Sequence, residues 1–373
     1  MTASVLDELL TTARRRFRVE RRIMPFAELR REVRRLPAAR PFESTLRHGD
    51  RVTLVAEIKR ASPSSGPLPG VGAGVAAVRS VARAYAAAGA GALSVLTEPT
   101  RFGGTDEDLL AASVAGLPVL RKDFVTDAYG VWHSRFAGAD AVLLIVRALP
   151  PGDTLVRLID AAGEAGIDAL VEVHDAADLE RALGADATLV GVNARDLATL
   201  SVDLEAGLPL LRAAAEAGAT VVAESGISRP EEVAAAAAGG ASAVLVGTSL
   251  LRSGDPAAAA RRLASRAPAR EPIRVPPPPA RACVKVCGQR DARGLRAAIR
   301  ADADLVGFVV DERSRRAISP ERAGELANLL PAGPRLRPVL VTRAPARSDL
   351  EDAMRASGVR GVQLAGFDEP PGW

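Results

Sequence analysis

Short apolar runs alternate with longer runs rich in Ala, Leu, Glu and Arg from Val52 onward. The short runs have the length and β-branched content of buried strands, and the longer runs have those of helices. Eight strand candidates lie between Val52 and Thr248: VTLVAEI, ALSVLT, PVLRKD, ADAVLLIV, IDALVEVH, ATLVGVN, ATVVAES and SAVLVGT. Acidic starts and glycine ends mark connecting segments such as PEEVAAAAAGG as helices.

Eight consecutive strand–helix units predict an α/β fold, a (β/α)8 TIM barrel. An open, doubly wound sheet is the competing architecture, but a count of eight favours closure. Two arginine-rich helical patterns in residues 1–50 predict an N-terminal helical extension, which could cap the barrel bottom or fold over its mouth.

The alternation stops near Ser265 and restarts after a proline-rich stretch. Four consecutive prolines in residues 266–281 predict an extended linker, since they fit neither a helix nor a central strand. Four more strand candidates follow: CVKVCG, DLVGFVV, RPVLVT and GVQLAG. We therefore predict a barrel over residues 1–265, a linker over 266–281, and a C-terminal half-barrel of four βα units over 282–373, whose edge strands lack partners.

Composition narrows the classes of function. Aromatic residues make up only 3% and the net charge is +4, which argues against a nucleic-acid binder. The basic run ARRRFRVERR is interpreted as a solvated helix face. Cys283 and Cys287 cannot form a disulfide framework, and C-x3-C is at most half a metal site. With no secretory h-region and no bilayer-length apolar run, we expect a cytoplasmic protein without membrane contact.

Polar side chains stand at the ends of the predicted barrel strands, where barrel enzymes carry their chemistry. Glu57 and Lys59 end the first strand on one face, alternating with Leu54, Ala56 and Ile58, which should face the helices. The other polar ends are Thr97-Glu98, Lys122-Asp123, Glu172 with His174, Asn193 followed by Arg195, Glu224-Ser225-Gly226, and Gly247-Thr248. Any one of these could be a surface ion pair, but the repeat places them together as an active site.

Lysine usage sharpens this interpretation. Of 49 basic residues only Lys59, Lys122 and Lys285 are lysine, and two of these fall at barrel strand ends. A lysine ammonium can change its protonation state, whereas a guanidinium stays charged. Proton chemistry at the barrel mouth is therefore expected.

Glycines after the last two barrel strands, in ESGI and VGTS, suit a phosphate site because backbone N–H groups can approach an anion there. GVGAG, at residues 70–74, resembles a dinucleotide fingerprint but has the wrong spacing and no spaced acidic partner, and we interpret it as a flexible loop. His48 and His133 have no evident partners and are predicted to lie on the surface. His174 is expected to be structural or to support Glu172.

The motifs EIKRASPS, SVLTEPTRFGG, VLRKDF, VEVH, GVNARDL, AESGI and VGTSLL resemble, in this order, those of the indole-3-glycerol phosphate synthase family over residues 50–252. The resemblance implies a (β/α)8 barrel acting in tryptophan biosynthesis. Such an enzyme closes the pyrrole ring of 1-(2-carboxyphenylamino)-1-deoxyribulose 5-phosphate with loss of CO2 and water. It implies a phosphorylated small-molecule substrate and no metal or organic cofactor.

By the same resemblance, Lys122 would be the general acid of ring closure, Glu172 the acid/base of dehydration, Glu57 a support for proton transfer, and Lys59 the contact of the substrate carboxylate. The implied catalytic set is Glu57, Lys59, Lys122, Glu172, Asn193 and Glu224. The implied substrate-binding set is Ser62, Phe102, Phe124, Arg195, Ser225, Gly226, Gly247 and Thr248, of which the last three would hold the phosphate and the two phenylalanines would neighbour the anthranilate ring.

The C-terminal segment resembles the start of phosphoribosylanthranilate isomerase. VKVCGQRD would place Cys287 as the general base, SRRAISPE would supply Arg316, and in GVQLAG Ala365 replaces the usual histidine. The second half of that barrel, with its general acid and phosphate loops, does not follow in the sequence, so we expect no isomerase activity.

Two alternatives remain open. The C-terminal segment could act as an interaction or self-association module through its strand edges. The barrel could also serve a related anthranilate-derived substrate in specialised metabolism, although the intact set of motifs argues against this.

Overall fold

The structure, a computed structural model, describes residues 5–47, 51–62, 66–195, 202–265, 267, 284–291, 294–295, 298, 303–330, 336–343 and 346–365. Contacts divide the chain into two compact units, Met1–Ile273 and Arg274–Trp373. Apart from Ala267, the predicted linker lies outside the described residues, as does His48. None of the helices that the structure describes is both long and apolar enough to cross a membrane.

Eight parallel strands of the first unit form a closed barrel, which confirms the predicted (β/α)8 architecture and excludes the open sheet. The strands of this unit are β1 Thr53–Ile58, the short antiparallel pair β2 Ala61–Ser62 and β3 Gly66–Pro67, then β4 Ala92–Leu96, β5 Val119–Lys122, β6 Ala141–Ile145, β7 Asp168–Val173, β8 Leu189–Asn193, β9 Thr220–Glu224 and β10 Ala243–Val246. The barrel closes because β1 pairs with both β4 and β10.

Helices follow the strands on the outside of the barrel. The N-terminal helices are α1 Val5–Ile23, α2 Phe26–Val33 and α3 Phe42–Arg47; the barrel helices are α4 Gly74–Ala87, α5 Asp106–Ser113, α6 Ala128–Phe136, α7 Thr154–Ala165, α8 Ala176–Gly184, α9 Leu204–Glu216, α10 Pro230–Ala238, α11 Thr248–Arg252 and α12 Pro256–Ser265. A 3-10 turn, Val146–Ala148, follows β6. Thr105, Asp127, Asp175 and Asp203 each accept a hydrogen bond from a backbone N–H of the helix that they precede, which sets where that helix begins.

The barrel strands separate two apolar layers. Leu54, Ala56 and Ile58 are buried against the surrounding helices, as the alternation predicts. Val55 points the other way and is buried inside the barrel with side chains such as Leu120. The same alternation carries the last polar side chains of the strands into the barrel mouth.

The N-terminal extension occupies both positions that the sequence left open. At the barrel bottom, Phe42 and Leu46 of α3 pack inside the barrel. The backbone N–H of Glu43 donates to Asp168 Oδ2 at the start of β7, 2.8 Å away. The Glu43 carboxylate in turn accepts from the hydroxyl of Thr220 at the start of β9, 3.0 Å away. These contacts plug the bottom of the barrel.

Helix α1 lies at the opposite end. Its apolar residues Leu6 and Leu9 line a cavity in the mouth, and Arg16 donates to Asp123 just after β5. Ala13 and Phe17 are buried. The predicted solvated basic face is confirmed, since Arg14, Arg15, Arg18, Arg21 and Arg22 are exposed, while the opposite face of this helix packs on the barrel.

The GVGAG stretch leads into α4 as a loop, but it is partly packed. Val71 is buried, and a Cβ on Gly70 would lie 2.6 Å from the backbone oxygen of Leu251. The close approach of two backbones accounts for a glycine at this position.

The described part of the second unit contains a four-stranded parallel sheet, which confirms the predicted C-terminal sheet. Its strands, in order across the sheet, are β11 Lys285–Cys287, β12 Leu305–Val309, β13 Arg337–Arg343 and β14 Gly361–Ala365. Helices α13 Pro320–Ala327 and α14 Arg347–Ser357 connect the later strands. Val306, Phe308, Leu326 and Leu340 form its core.

Candidate active site

A cavity of about 460 Å³ opens at the carboxyl ends of the barrel strands. All fourteen predicted site residues line it: Glu57, Lys59, Ser62, Phe102, Lys122, Phe124, Glu172, Asn193, Arg195, Glu224, Ser225, Gly226, Gly247 and Thr248. Parallel strands bring these residues together because all their carboxyl ends meet at one rim.

Two glycines, Gly191 in β8 and Gly247 directly after β10, make room for the carboxylates of this cavity. A Cβ on Gly247 would lie 2.3 Å from Glu57 Oε1, and a Cβ on Gly191 would lie 2.2 Å from Glu224 Oε1. Any larger residue at either position would displace a buried glutamate. Gly247 was predicted as a phosphate contact, and its second function is to accommodate Glu57.

Lys122 lies at the centre of the buried charges. Its Nζ donates a short hydrogen bond to Glu224 Oε2 and lies 3.5 Å from Glu172 Oε2. Burial alone would lower the pKa of Lys122, but Glu224, Glu172 and Glu57 outweigh it and raise the pKa above its usual value. The Lys122 side chain is therefore an ammonium at neutral pH.

Glu57 and Lys59 form a second pair, with Lys59 Nζ donating to Glu57 Oε1 at 2.6 Å. Burial would raise the pKa of Glu57, yet Lys59 and then Lys122 hold it below the usual value. Glu57 is thus an ionised acceptor on the wall of the cavity.

Three glutamates face the two lysine ammonium groups in this cavity, which leaves one negative charge in excess if all are ionised; Asp123 and Arg195, which also line it, add no net charge. Burial raises the pKa of Glu224, Lys122 opposes the shift, and Glu172 adds to it. The pKa of Glu172 is lowered, because Lys122 and His174 outweigh its burial. The cluster therefore holds an extra proton most readily on Glu224, while Glu172 remains a base.

Asn193 and Ser225 continue the rim next to this cluster. Asn193 Oδ1 accepts from the Ser225 hydroxyl at 2.9 Å and from the Arg195 backbone N–H at 3.1 Å. Ser225 has a φ of 67°, in the left-handed region that non-glycine residues rarely occupy. This strained backbone turns the chain directly after Glu224.

The arrangement brings together, in one cavity, the groups that proton transfer in both directions requires. Lys122 is a buried ammonium with a raised pKa, and Glu172 is a buried carboxylate with a lowered pKa, so a proton donor and a proton acceptor lie side by side. Among the described residues, no three His, Cys, Asp or Glu side chains are grouped so that they could share a metal ion.

Comparison with known proteins identifies the family. The sequence pattern of indole-3-glycerol phosphate synthase matches residues 6–263. The chain belongs to the indole-3-glycerol phosphate synthase family. The indole-3-glycerol phosphate synthase of Parafrankia sp. is 46% identical over 254 residues, 68% of this chain and 92% of that protein. That of Nocardioides sp. is 48% identical over 212 residues, 57% of this chain and 79% of that protein.

Among solved structures, that of a 3-hexulose-6-phosphate synthase is similar with a TM-score of 0.47 and 18% identity, covering 58% of this chain and 100% of that one. The family match ends at residue 263, so the second unit has no assignment from it.

The synthase cavity also has an apolar wall, of which the sequence predicted only the two phenylalanines. Phe102 and Phe124 lie together with ring centroids 6.3 Å apart. Val5, Leu6 and Leu9 of α1 complete the wall and were not predicted. The helical spacing of apolar residues in the N-terminal segment could have predicted that one face of α1 packs on the barrel.

Thr97 and Glu98, at the predicted end of the second strand, do not line the cavity of this synthase family member. Glu98 is buried and accepts from the backbone N–H groups of Thr100, Arg101 and Phe102 at 2.8, 2.7 and 3.2 Å. Glu98 therefore shapes the loop that presents Phe102, and acts on the site through that ring.

The predicted surface position of His133 is wrong. It is buried on α6, with Nδ1 3.3 Å from an Arg121 guanidinium nitrogen and 3.6 Å from Asp106 Oδ2. Its ring lies edge-on to Phe17 and stacks on Tyr129. Burial and then the Arg121 charge lower the pKa of His133 to about 4, so it is neutral at physiological pH. Of these partners, only Tyr129 lies on the same helix, and the others lie on other elements, α1, β5 and α5, which no local pattern reveals.

Arg121 and His133 belong to a network that ends beside Lys122. Asp123 is buried and accepts from Arg121, from the Thr97 hydroxyl and, through both oxygens at 2.7 Å, from Arg16 of α1. Burial would raise the pKa of Asp123, but Arg121 and Arg16 lower it to about 2. A permanently charged carboxylate thus joins α1 to the residue that follows Lys122.

Proposed function

We propose that this chain is an indole-3-glycerol phosphate synthase of tryptophan biosynthesis. It would convert 1-(2-carboxyphenylamino)-1-deoxyribulose 5-phosphate into indole-3-glycerol phosphate, CO2 and water, as a carboxy-lyase. The family match supports this assignment. The observation that carries the proposed mechanism is the buried contact of Lys122 with Glu224 and Glu172, which puts an acid and a base in one cavity.

In the first step Lys122 would protonate the substrate carbonyl oxygen while the aromatic carbon that bears the carboxylate attacks the carbonyl carbon. The raised pKa supports this role, since it keeps the ammonium charged until a substrate oxygen accepts its proton. Loss of CO2 then restores the aromatic ring.

In the second step Glu172 would act as the acid/base of dehydration, with Glu57 supporting proton transfer. Glu172 Oε2 lies 3.5 Å from Lys122 Nζ, so an acid and a base can work on neighbouring atoms of the same intermediate. The lowered pKa of Glu172 supports its action as a base.

Lys59 would orient the substrate carboxylate. Its ammonium is held by Glu57 at 2.6 Å, which fixes its position and leaves other N–H bonds for an anion. Asn193, Arg195 and Ser225 would contact the remaining polar groups of the substrate.

The apolar wall would receive the anthranilate ring. Phe102 and Phe124 already lie at the spacing of an aromatic pair, so the ring would pack against them and not between them. Gly226, Gly247 and Thr248 line the opposite part of the rim, where backbone N–H groups and the Thr248 hydroxyl would hold the phosphate; Ser62 completes the binding set.

A direct assay tests this proposal. The purified chain is expected to convert the synthetic carboxyphenylamino deoxyribulose phosphate into an indole product. Indole absorbance and released CO2 measure the conversion. Absence of product with a folded chain would refute it. An anthranilate-derived substrate that turns over much faster would support the alternative of specialised metabolism.

For the second unit we infer kinship with the first half of phosphoribosylanthranilate isomerase. Cys287 ends β11, and the Arg316 side chain lies against Gly288, the next residue, so that the two residues of the resemblance are near one another. Ala365 stands where the isomerase has histidine. We expect no turnover of phosphoribosylanthranilate, and substantial turnover by the purified chain would contradict this.

We also infer that the second unit could associate with a second copy of the chain through its edge strands. Within the described residues β11 and β14 each pair on one side only, and such edges can pair with another chain. A cytoplasmic location remains a prediction from the sequence.

A further inference from the structure

His174 lies between the active-site Glu172 and a second carboxylate. Its Nε2 is 3.3 Å from Glu172 Oε1, and its Nδ1 is 3.7 Å from Asp178 Oδ2. The imidazole is only 3% exposed. Asp178 is itself fixed, since Oδ2 accepts from Arg147 Nε at 3.1 Å and from the His174 backbone N–H at 3.2 Å. The three side chains form a line that leads away from the active-site cavity.

Of these three residues, His174 alone borders a second cavity of about 700 Å³, between α8 and α9. His174, Arg147 and Asp175 line it but do not line the active-site cavity, whereas Asn193 and Arg195 line both. Glu172 lines only the active-site cavity. His174 therefore stands between the base of the active site and a separate water-accessible space.

The proposed reaction needs a proton from solvent in every turnover, and this step rests on the proposed function. One proton converts the carbonyl oxygen into a hydroxyl, and a second converts that hydroxyl into the leaving water. Only one returns, from the carbon that forms the new double bond. The carboxylate leaves as CO2, its bonding electrons restore the aromatic ring, and the balance is one proton taken up.

We propose that His174 passes this proton from the second cavity to Glu172 while substrate fills the mouth. Both ring nitrogens of His174 are buried without a hydrogen-bond partner, so a small rotation of the ring brings Nε2–H to a Glu172 oxygen and Nδ1 to water of the second cavity. One N–H bond then breaks as another forms. Glu172 then holds the proton for Lys122 or for the leaving hydroxyl. His174 is thus a positioning and proton-delivery residue that does not touch substrate.

Charged groups from several neighbouring elements surround the imidazole of His174. Carboxylates lie at both ends of the imidazole, and the guanidinium of Arg147 is paired with Asp175 and Asp178. The charged groups around the path are Glu172 on β7, Asp175 and Asp178 at the start of α8, Arg147 on the 3-10 turn, Arg195 after β8 and Asp203 before α9.

Two substitutions of His174 distinguish a role in proton delivery from a role that only holds Glu172 in position. His174→Gln can still donate a hydrogen bond toward Glu172, and His174→Asn can still face Asp178, but neither amide carries a proton across. In the full-length chain we expect kcat to fall by about tenfold or more for both variants, most at alkaline pH, with KM little changed. Added imidazole should restore turnover of the variants and not that of the wild type.

His133→Gln is the matched control, since it removes the other buried histidine of the barrel, which lies outside the cavity. It should leave the shape of the pH profile and the response to imidazole unchanged. Thermal unfolding of each variant verifies folding. Wild-type turnover by His174→Gln without imidazole, at all pH values, would overturn the relay alone. A wild-type chain that forms no indole product would overturn the proposed function and the relay together.

Discussion

At the scale of single residues, the balance among three buried carboxylates and two ammonium groups governs the site. Lys122 is charged because Glu224, Glu172 and Glu57 surround it, and the pKa of Glu224 is raised first by its burial and then by the charge of Glu172, against the opposing charge of Lys122. A buried ion pair of this kind is costly to form, and its removal on one side leaves an uncompensated charge. Substitutions in this cluster should therefore alter the protonation states of the remaining groups more than they alter the affinity for substrate.

Lys122→Arg keeps a positive charge but removes the acid that can titrate. Turnover should fall by about a hundredfold or more, since guanidinium does not release its proton to the substrate oxygen. The measurement is kcat for formation of the indole product. Lys285→Arg, the same change in the second unit, is the control and should have no effect. Undiminished kcat would remove Lys122 from the acid role.

Glu224→Gln should shift the pH dependence of turnover. Glu224 is the largest single charge that raises the pKa of Lys122, so its neutralisation lowers that pKa. The alkaline limb of the kcat profile should then move to lower pH, because Lys122 loses its proton earlier. Glu205→Gln, at an exposed position of α9, is the control. An unmoved alkaline limb would show that Lys122 does not set it.

Sequence reasoning found the residues of the site because strand ends repeat. Glu57, Lys122, Glu172 and Glu224 stand at equivalent points of successive units, and a closed barrel must bring such points together. The buried His133 carries no such repeat, since α1, β5 and α5 supply its partners from distant parts of the chain. The spacing along one segment contains no information about such contacts.

At the scale of elements, the ion pair of Arg16 with the buried Asp123 reinforces the apolar packing of α1 on the barrel mouth. Arg16→Ala removes the bidentate partner of Asp123 and leaves Arg121 and Thr97 to satisfy it. We expect a loss of about 1–3 kcal/mol in the free energy of unfolding. KM should also rise, because Leu6 and Leu9 of the same helix line the cavity.

Urea unfolding followed by Trp132 fluorescence in a Trp373→Phe background measures this stability, since Trp132 is buried in the first unit. Arg14→Ala, an exposed neighbour on α1, is the control. If Arg16→Ala and Arg14→Ala lower the free energy of unfolding equally, the ion pair of Arg16 with Asp123 does not stabilise the fold.

The bottom plug should make stability depend on pH through Asp168. Burial raises the pKa of this carboxyl from 3.8 to about 6. The folded chain thus holds the proton more tightly than the unfolded chain, and this stabilisation is complete below about pH 4 and is lost as pH rises through 6. The full loss is roughly 3 kcal/mol.

Asp168→Asn cannot ionise, so its free energy of unfolding should rise relative to wild type between pH 4 and 7. The same fluorescence assay at a series of pH values measures the difference. Asp153→Asn, at an exposed carboxylate before α7, should show no such trend. A constant difference for Asp168→Asn would contradict the raised pKa.

At the scale of the whole molecule, the described residues form two parallel β-sheets, the closed barrel and the four-stranded sheet, both built from repeated strand–helix units. The sequence predicted both, because strand and helix alternate in the same way before and after the proline-rich stretch. The positions of α1 and α3 at opposite ends of the barrel were not predictable in this way. They depend on contacts such as Arg16 with Asp123 and Glu43 with Asp168, which join residues more than a hundred positions apart.

All fourteen site residues lie in the first unit, so that unit should suffice for synthesis of the indole product. A chain that ends at Ala267 is expected to keep the kcat and KM of the full chain. Light scattering of both forms tests the second unit separately: if β11 and β14 pair with another copy, only the full chain should associate. Loss of turnover in the shortened chain, with folding verified, would mean that the second unit supports the barrel site and is more than an interaction module.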